Sequence, residues 1–349
     1  MINKSASSLS RMEHRSAFWV LNHERIVKSD GNKYNHREDY YGFIPLQPYS
    51  NKEYIIRDIM PGEIDSLSDH YDLAWFADTH GITYGEWYDD SGDDTFSRLL
   101  YGGLSHNDYL FIKHMLNDEK MVIAEFNFFA APTSDSIRSK VEKMTGVFWS
   151  GWTGMYYDNL NYTENDELPD WIVDLYKEQN HGDWPFTKPG IVLVNHNDKV
   201  VILESETHID IHVPLITTNH DLASKYGISA VVHYPYRFDI SYAADTTNVI
   251  SYFHLNANTN GLRVLKNHNI PARFPAVTIN TDKGYFYYLA GNYSGYDINM
   301  LTSSLSGSMS LDFLLHSDRI GSKGEFFREY YYPFISKIIN DYYKSLSER

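Results

Sequence analysis

The chain has 349 residues, 42% of them hydrophobic and 22% charged, values that allow a sizeable core in one large domain or two. A net charge of −16 argues against nucleic acid or an anionic membrane surface as a partner, since both require a basic face. The absence of cysteine excludes disulfides, thiolate metal sites and a cysteine nucleophile, and fits an extracytoplasmic chain better than a cytosolic one.

Residues 1–15 are polar and serine-rich and read as a loose tail, with no apolar core of a signal peptide. The run "SAFWVLNHERIVKSDGNKYNH" is expected to hold a strand near 17–22, a turn at Asp30 and Gly31, and a return. "EYIIRDI" is a short strand stopped by Pro61 and Gly62. "YDLAWFA" is apolar without alternation, the pattern of a strand buried on both faces. An acidic loop follows, then a helix in "SHNDYLFIKHMLNDE" capped by Ser105, and a second buried strand in "KMVIAEFN". "TSDSIRSKVEKMTG" reads as a helix that starts at Thr133 or Ser134 and stops at Gly146.

That alternation predicts an α/β fold with a doubly wound, mainly parallel sheet containing residues near 17–22, 54–59, 72–77 and 121–126. Beyond a helix in "LPDWIVDLYKEQN" the character changes. "GIVLVNHNDKVVILES" is a hairpin about Asn197 and Asp198, and strand-like runs continue to "FPAVTIN". A mainly antiparallel, β-rich insertion packed on the first half is therefore expected. The division is a tail (1–15), an α/β core (16–165), a helix with the β-rich insertion (166–282), and a final strand and helix completing the core (283–349). No stretch reaches the roughly 18–20 apolar residues of a membrane span.

"YDLAWFAD", "LLYGGLSHNDYLFIKHMLNDEK" and "MVIAEFNFFAAPTSDSIRSKVEKMTGV" together resemble the class I glutamine amidotransferase-like superfamily, a flavodoxin-like α/β fold. The resemblance covers about eighty residues, 71–149, and rests on element order and a diglycine. It implies a Gly-Gly loop at Gly102 and Gly103, and a sharp turn over Glu125, Phe126 and Asn127 where that superfamily presents its cysteine. This chain has no cysteine, so glutaminase activity by that route is excluded while the scaffold stands. "EFNFFAAPT", "GWTGMYYDNL" and "YYLAGNYSG" also look like segments of an uncharacterised bacterial family. Related domains of the amidotransferase-like superfamily occur beside sugar-processing modules.

In open α/β sheets ligands collect at the carboxyl ends of the strands. Asp78, Thr79 and His80 end one buried run, Glu125 and Asn127 another, and Asn292 follows a third. Asp78 and Glu125 are candidate catalytic groups, since paired carboxylates can exchange protons once burial separates their pKa values. Trp152 and Tyr156, in the glycine-spaced aromatic run "WSGWTGMYYDN", are candidate sugar-stacking residues. "THIDIHVP" sets His208, Asp210 and His212 at a strand's period of two, and "DDSGDD" is acidic. Neither has the ligand context of a metal site, so no metal or cofactor is implied. The reading that follows is binding of a carbohydrate or cell-envelope glycan. The alternatives are a glycosidase-like hydrolase using Asp78 and Glu125, and a non-catalytic scaffold.

Overall fold

The computed structural model describes residues 1–88, 98–211, 213–304 and 322–348. The chain opens with a buried strand, β1 (Ile2–Asn3), followed by helix α1 (Met12–His23). Ile2, Asn3, Lys4 and Ala6 are all buried, so the expected polar tail instead supplies a strand and the start of a helix. The run at 17–22, expected as a strand, is the middle of α1, and Ala17, Phe18, Trp19, Val20 and Leu21 are all buried. A helix segment buried all round has no amphipathic period, so apolarity alone does not separate it from a strand.

There follow β2 (Tyr41–Pro45), β3 (Tyr54–Arg57), α2 (Ile64–His70) and β4 (Leu73–Asp78). A small ribbon of β5 (Ile82–Thr83) and β6 (Leu99–Tyr101) carries α3 (Tyr84–Tyr88) between its strands. Then come α4 (His106–Asn117), β7 (Met121–Ala124), α5 (Asp135–Thr145) and the long strand β8 (Val147–Tyr157). Ser105 caps α4 as expected: its Oγ accepts from Asp108 N, while the Asp108 carboxylate accepts from Ser105 N. Gly146 ends α5 in the left-handed conformation.

The second half runs α6 (Asp170–Gln179), β9 (Gly190–Asn195), β10 (Val200–Glu204), β11 (Leu215–Thr218) and α7 (His220–Tyr226). It continues through β12 (Val231–His233), β13 (Arg237–Ala243), β14 (Val249–His254), α8 (Thr259–Asn267), β15 (Arg273–Asn280) and β16 (Tyr285–Leu289). The described chain closes with α9 (Lys323–Phe326), a π-helical turn (Phe327–Tyr331) and α10 (Tyr332–Ser347), with Pro333 in the first turn of α10.

Ten strands form one sheet in the order β12-β11-β14-β15-β16-β7-β4-β1-β2-β3. The five at its centre, β16-β7-β4-β1-β2, run parallel, and the outer pairings are antiparallel. The expected mainly parallel sheet is thus a mixed one. β3, expected among the parallel strands, is an antiparallel edge strand with Ile55 and Ile56 turned to solvent. The β-rich region also differs from expectation. Its strands are antiparallel and its helices short, but β11, β12, β14 and β15 extend the main sheet. Only β9, β10 and β13 join β8 in a separate four-stranded sheet, β10-β9-β8-β13.

The aromatic and glycine run at 149–159 is mostly strand β8. Its glycines serve packing: Gly151 has φ +86° where the register with β13 shifts, and a Cβ on Gly154 would lie 2.3 Å from the Phe238 ring. Many tyrosines are structural too, with Tyr40, Tyr234, Tyr288, Tyr293, Tyr330 and Tyr331 fully buried.

Candidate functional site

β1, β4, β7 and β16 end on the same side of the sheet, and their last residues form a connected polar cluster. Lys4 N donates to Asp78 O (2.8 Å), joining the ends of β1 and β4. One oxygen of the half-buried Asp78 carboxylate, Oδ1, accepts from Ser5 Oγ at 2.9 Å and from the His80 amide at 2.8 Å. Thr79 Oγ1 donates to Asn127 O (3.0 Å), tying β4 to the turn after β7. Gly103 N donates to Thr79 O, and Lys4 Nζ donates to Gly103 O at 2.9 Å. A Cβ on Gly102 would lie 2.4 Å from His80 O, so this turn exists only because the backbones approach so closely. Asp78, Thr79, His80, Gly102, Gly103 and Asn127 are therefore neighbours.

Asn127 has φ +65°, a conformation few side chains adopt. Its backbone is held from the second sheet: Asn127 N donates to Asp239 Oδ2 (2.9 Å), which also accepts from Tyr288 OH (2.9 Å). Asp239 is fully buried on β13, and its other oxygen, Oδ1, has no hydrogen-bond partner among the described residues. Burial pushes its carboxyl up to about 7, and the nearby Asp78 adds to the rise. Burial also raises Asp78, against the hydrogen bonds from His80, Ser5 and the Asn127 side chain that favour its charged form. Glu13, in the first turn of α1, is pushed up to about 7 by burial, with Asp78 contributing. Asp78 thus lies close enough to Asp239 and to Glu13 to raise both carboxyls.

Glu125 stands apart from that cluster. It is fully buried, with Oε1 accepting from Trp75 Nε1 (2.8 Å) and Oε2 from both Ser294 N and Ser294 Oγ (2.8 Å each). Burial pushes it up to about 7. Its role is to bind β4, β7 and the segment after β16 together. Asn292 N donates to Arg237 O at 3.0 Å, placing that residue beside β13 at the edge of the cluster. Trp152 is buried in β8, its ring 6.2 Å from that of His268, and Tyr156 lies further along the same strand opposite Ile191. Both belong to the second sheet.

Lys4, Ser5, Asp239, Tyr288 and Ser294 were missed from sequence. The signal for Asp239 was present, a lone carboxylate between Phe238 and Ile240 in a strand, but its partners are more than 45 residues away in each case. His208 lies in a turn, not on a strand, and its Nδ1 accepts from Glu204 N at 3.1 Å. His212 and the acidic stretch 89–94 lie outside the described residues. Among the described residues no group of three or more His, Asp and Glu is placed to hold a metal ion, and no helix is long and apolar enough to cross a membrane.

Two cavities open at the opposite, amino ends of the parallel strands. One, about 640 Å³, lies below the carboxyl ends of α4 and α5, between Asn117, Gly146 and Gly284. The other, about 510 Å³, lies at the start of β1, β2 and β4. Neither includes Asp78, Glu125 or Asn127. Comparison of the chain with protein-family models, with curated proteins and with solved structures gives no match.

Proposed function

We propose that this protein binds a carbohydrate in the crevice at the carboxyl ends of β1 and β4. We read the core as a doubly wound, flavodoxin-like sheet related to the class I amidotransferase-like domains. Numbered along the chain, the five parallel strands lie in the order 2-1-3-4-5, which is the flavodoxin-like order. In such sheets the ligand sits where the order reverses, here between β1 and β4. The left-handed Asn127, three residues past the end of β7, supports the amidotransferase-like reading, since it puts an amide on the turn over 125–127 where that superfamily places its cysteine.

The observation that carries the proposal is Asp78. Its half-buried carboxylate is fixed by Ser5 and by the His80 amide at the switch point, next to the Asn127 side chain. A fixed carboxylate beside an amide offers the acceptor and donor pairs that adjacent sugar hydroxyls require, without ordering cost on binding. Hydrolysis by Asp78 with Glu125 is the weaker reading, because both Glu125 oxygens already accept hydrogen bonds in a closed interior. A glycan array on the full chain tests the proposal. Binding to one glycan class is expected, weakened at least about tenfold in Asp78→Asn and in Asn127→Ala, a loss typical of hydrogen bonds to a charged group. Absence of glycan binding, or equal binding by both variants, would sink it in favour of a scaffold. Cleavage of a bound glycan that Asp78→Asn and Glu125→Gln each abolish, with binding retained, would favour the hydrolase.

A further inference from the structure

The 510 Å³ cavity at the start of β1, β2 and β4 lies at the other end of the sheet from Asp78. Besides the buried Tyr40, four tyrosines line it: Tyr34, Tyr41, Tyr71 and Tyr343. None of their hydroxyls has a hydrogen-bond partner among the described residues, in contrast to the buried Tyr40, whose hydroxyl donates to Phe43 O at 2.9 Å. Tyr34, Tyr41 and Tyr71 are partly buried and Tyr343 is exposed, and the cavity is open to water past Val27, His70 and Tyr343. The phenols sense one another: Tyr71 raises the Tyr34 and Tyr41 hydroxyls, and Tyr34 raises that of Tyr343, in each case after burial as the main cause. A core tyrosine is normally present for its area and finds a fixed partner for its hydroxyl. These four stand at the surface of one open cavity instead, where no protein group among the described residues takes their hydroxyls.

Charge narrows the occupant. The acidic residues at the cavity are Asp30, Asp39 and Asp72, and the basic ones are Lys28 and Arg57, with His70 at the mouth. Lys28 already pairs with Asp39 (3.0 Å), Arg57 donates to Glu38 O (2.9 Å), and Asp30 accepts from Asn32. In a chain of net charge −16 this corner is close to balance, so neither a strong anion nor a strong cation is favoured. The walls between the tyrosines are apolar, formed by Leu21, Ile26 and Leu67. The volume is within the ordinary range for small-ligand sites. Arg57 lies over the Tyr41 ring (6.0 Å) and His70 against that of Tyr71 (4.8 Å); the aromatic faces that remain, with rotatable hydroxyls at their rims, match a ring that presents C–H groups on its faces and hydroxyls around its edge.

We infer that this tyrosine-lined cavity is a second binding site, for one or two neutral sugar rings, with the phenols of Tyr34, Tyr41, Tyr71 and Tyr343 supplying both stacking faces and hydrogen bonds. It does not depend on the crevice at Asp78. The experiment is titration of the full chain with cellobiose, maltose, lactose and diacetylchitobiose, followed by saturation-transfer NMR and calorimetry. The same titrations are run on Tyr34→Phe, Tyr71→Phe and Asp78→Asn, with tetramethylammonium as a cationic competitor. The tyrosine changes keep the ring and delete only the hydroxyl, and thermal melts confirm that each variant is folded. At least one disaccharide is expected to bind saturably, with affinity falling by about three- to tenfold in each tyrosine variant, the loss of one neutral hydrogen bond. Three results would overturn the inference: no saturable binding by any of the four sugars, unchanged affinity in both tyrosine variants, or displacement of the sugar by tetramethylammonium at equal concentration. Binding lost in Asp78→Asn with both tyrosine variants unaffected would also overturn it, while leaving the carbohydrate crevice at β1 and β4 standing.

Discussion

Replacing Lys4 with Met tests whether the end of β1 is held as described. Lys4 Nζ lies 2.6 Å from Asp108 Oδ2, and both side chains are only 3% exposed. At an effective dielectric of about 20 the Coulomb attraction at that distance is about 6 kcal/mol, and the desolvation of two buried charges offsets most of it. The informative quantity is the cost of breaking the pair, because Lys4→Met leaves the Asp108 carboxylate buried without its counter-charge. Such a loss costs about 3–5 kcal/mol. The remaining bond from Ser105 N to the same Asp108 oxygen (2.7 Å) puts the expected value at the lower end. Urea unfolding at pH 7 measures it: the midpoint should fall with an unchanged m-value. Adding Asp108→Asn, which removes the stranded charge and keeps the capping acceptor, should recover at least about 1 kcal/mol, a coupling of the size contacting residues show. A cost below about 1 kcal/mol for Lys4→Met, with no recovery in the double variant, would refute the buried pair and with it the placement of β1.

Asp239→Asn should keep both hydrogen bonds through its carbonyl oxygen while losing the ionisation. The native carboxyl, raised to about 7, contributes stability that is present below its unfolded value near 4 and is lost as pH rises through 7. The variant should therefore gain on the native protein by about 2–3 kcal/mol between pH 5 and pH 8 in urea unfolding, at about 1.4 kcal/mol per pH unit; a constant difference would contradict the burial. His14 runs the other way: burial pushes it down to about 3, with Nδ1 paired to Asn3 and Nε2 to His36 O. Its contribution is complete above about 6.5 and lost as pH falls towards 3, so His14→Gln, which can keep both bonds, should flatten acid unfolding over that window, and an unchanged slope would refute the assignment. Gly42→Ala should abolish folding or cost at least about 4 kcal/mol, since its Cβ would lie 1.7 Å from Asn3 O at a φ of +130°. A melting temperature within a few degrees of native would show that β1 and β2 do not pair as described.

What the sequence made legible follows the range of the interactions involved. Helix α4 was readable because Ser105 and Asp108 bond to each other three residues apart, and the β9–β10 hairpin because Asp198 takes its left-handed φ of +60° within the turn itself. The strands "YDLAWFA" and "MVIAEFN" were readable because burial on both faces leaves an unbroken apolar run. β1 was not readable, since two residues are too few to show any period, and α1 imitated a strand because its residues 16–22 are all buried. Strand direction was lost for the same reason of range: nothing in "EYIIRDI" tells whether β3 meets its neighbour parallel or antiparallel. At the candidate site Asp78, Asn127 and the diglycine were legible as polar or flexible groups ending apolar runs. Glu125 looked identical to them, and only the fold reveals that Trp75 and Ser294 occupy it. Strand β8 was hidden around Trp152 and Tyr156, because Gly151 and Gly154 serve a bulge and a ring contact that the sequence does not show.

The parallel pairing of β7 with β16 joins Met121 to Tyr285, with the whole antiparallel region looped out between them. Closing so long a loop adds little to the equilibrium cost, because the entropy grows only with the logarithm of its length. Its consequence is in time. As the chain emerges from the ribosome, β1, β2, β4 and β7 can assemble early, but the free edge of β7 stays open until residues 285–289 arrive. That edge carries Met121, Val122, Ile123 and Ala124, all fully covered in the finished molecule. An apolar edge left waiting is the template on which nascent chains pair with one another. Non-local pairings of this kind also slow folding. Chains halted before residue 285 should thus be the aggregation-prone form of this protein, and the rate at which the second half is delivered governs how much of the first half survives to use it.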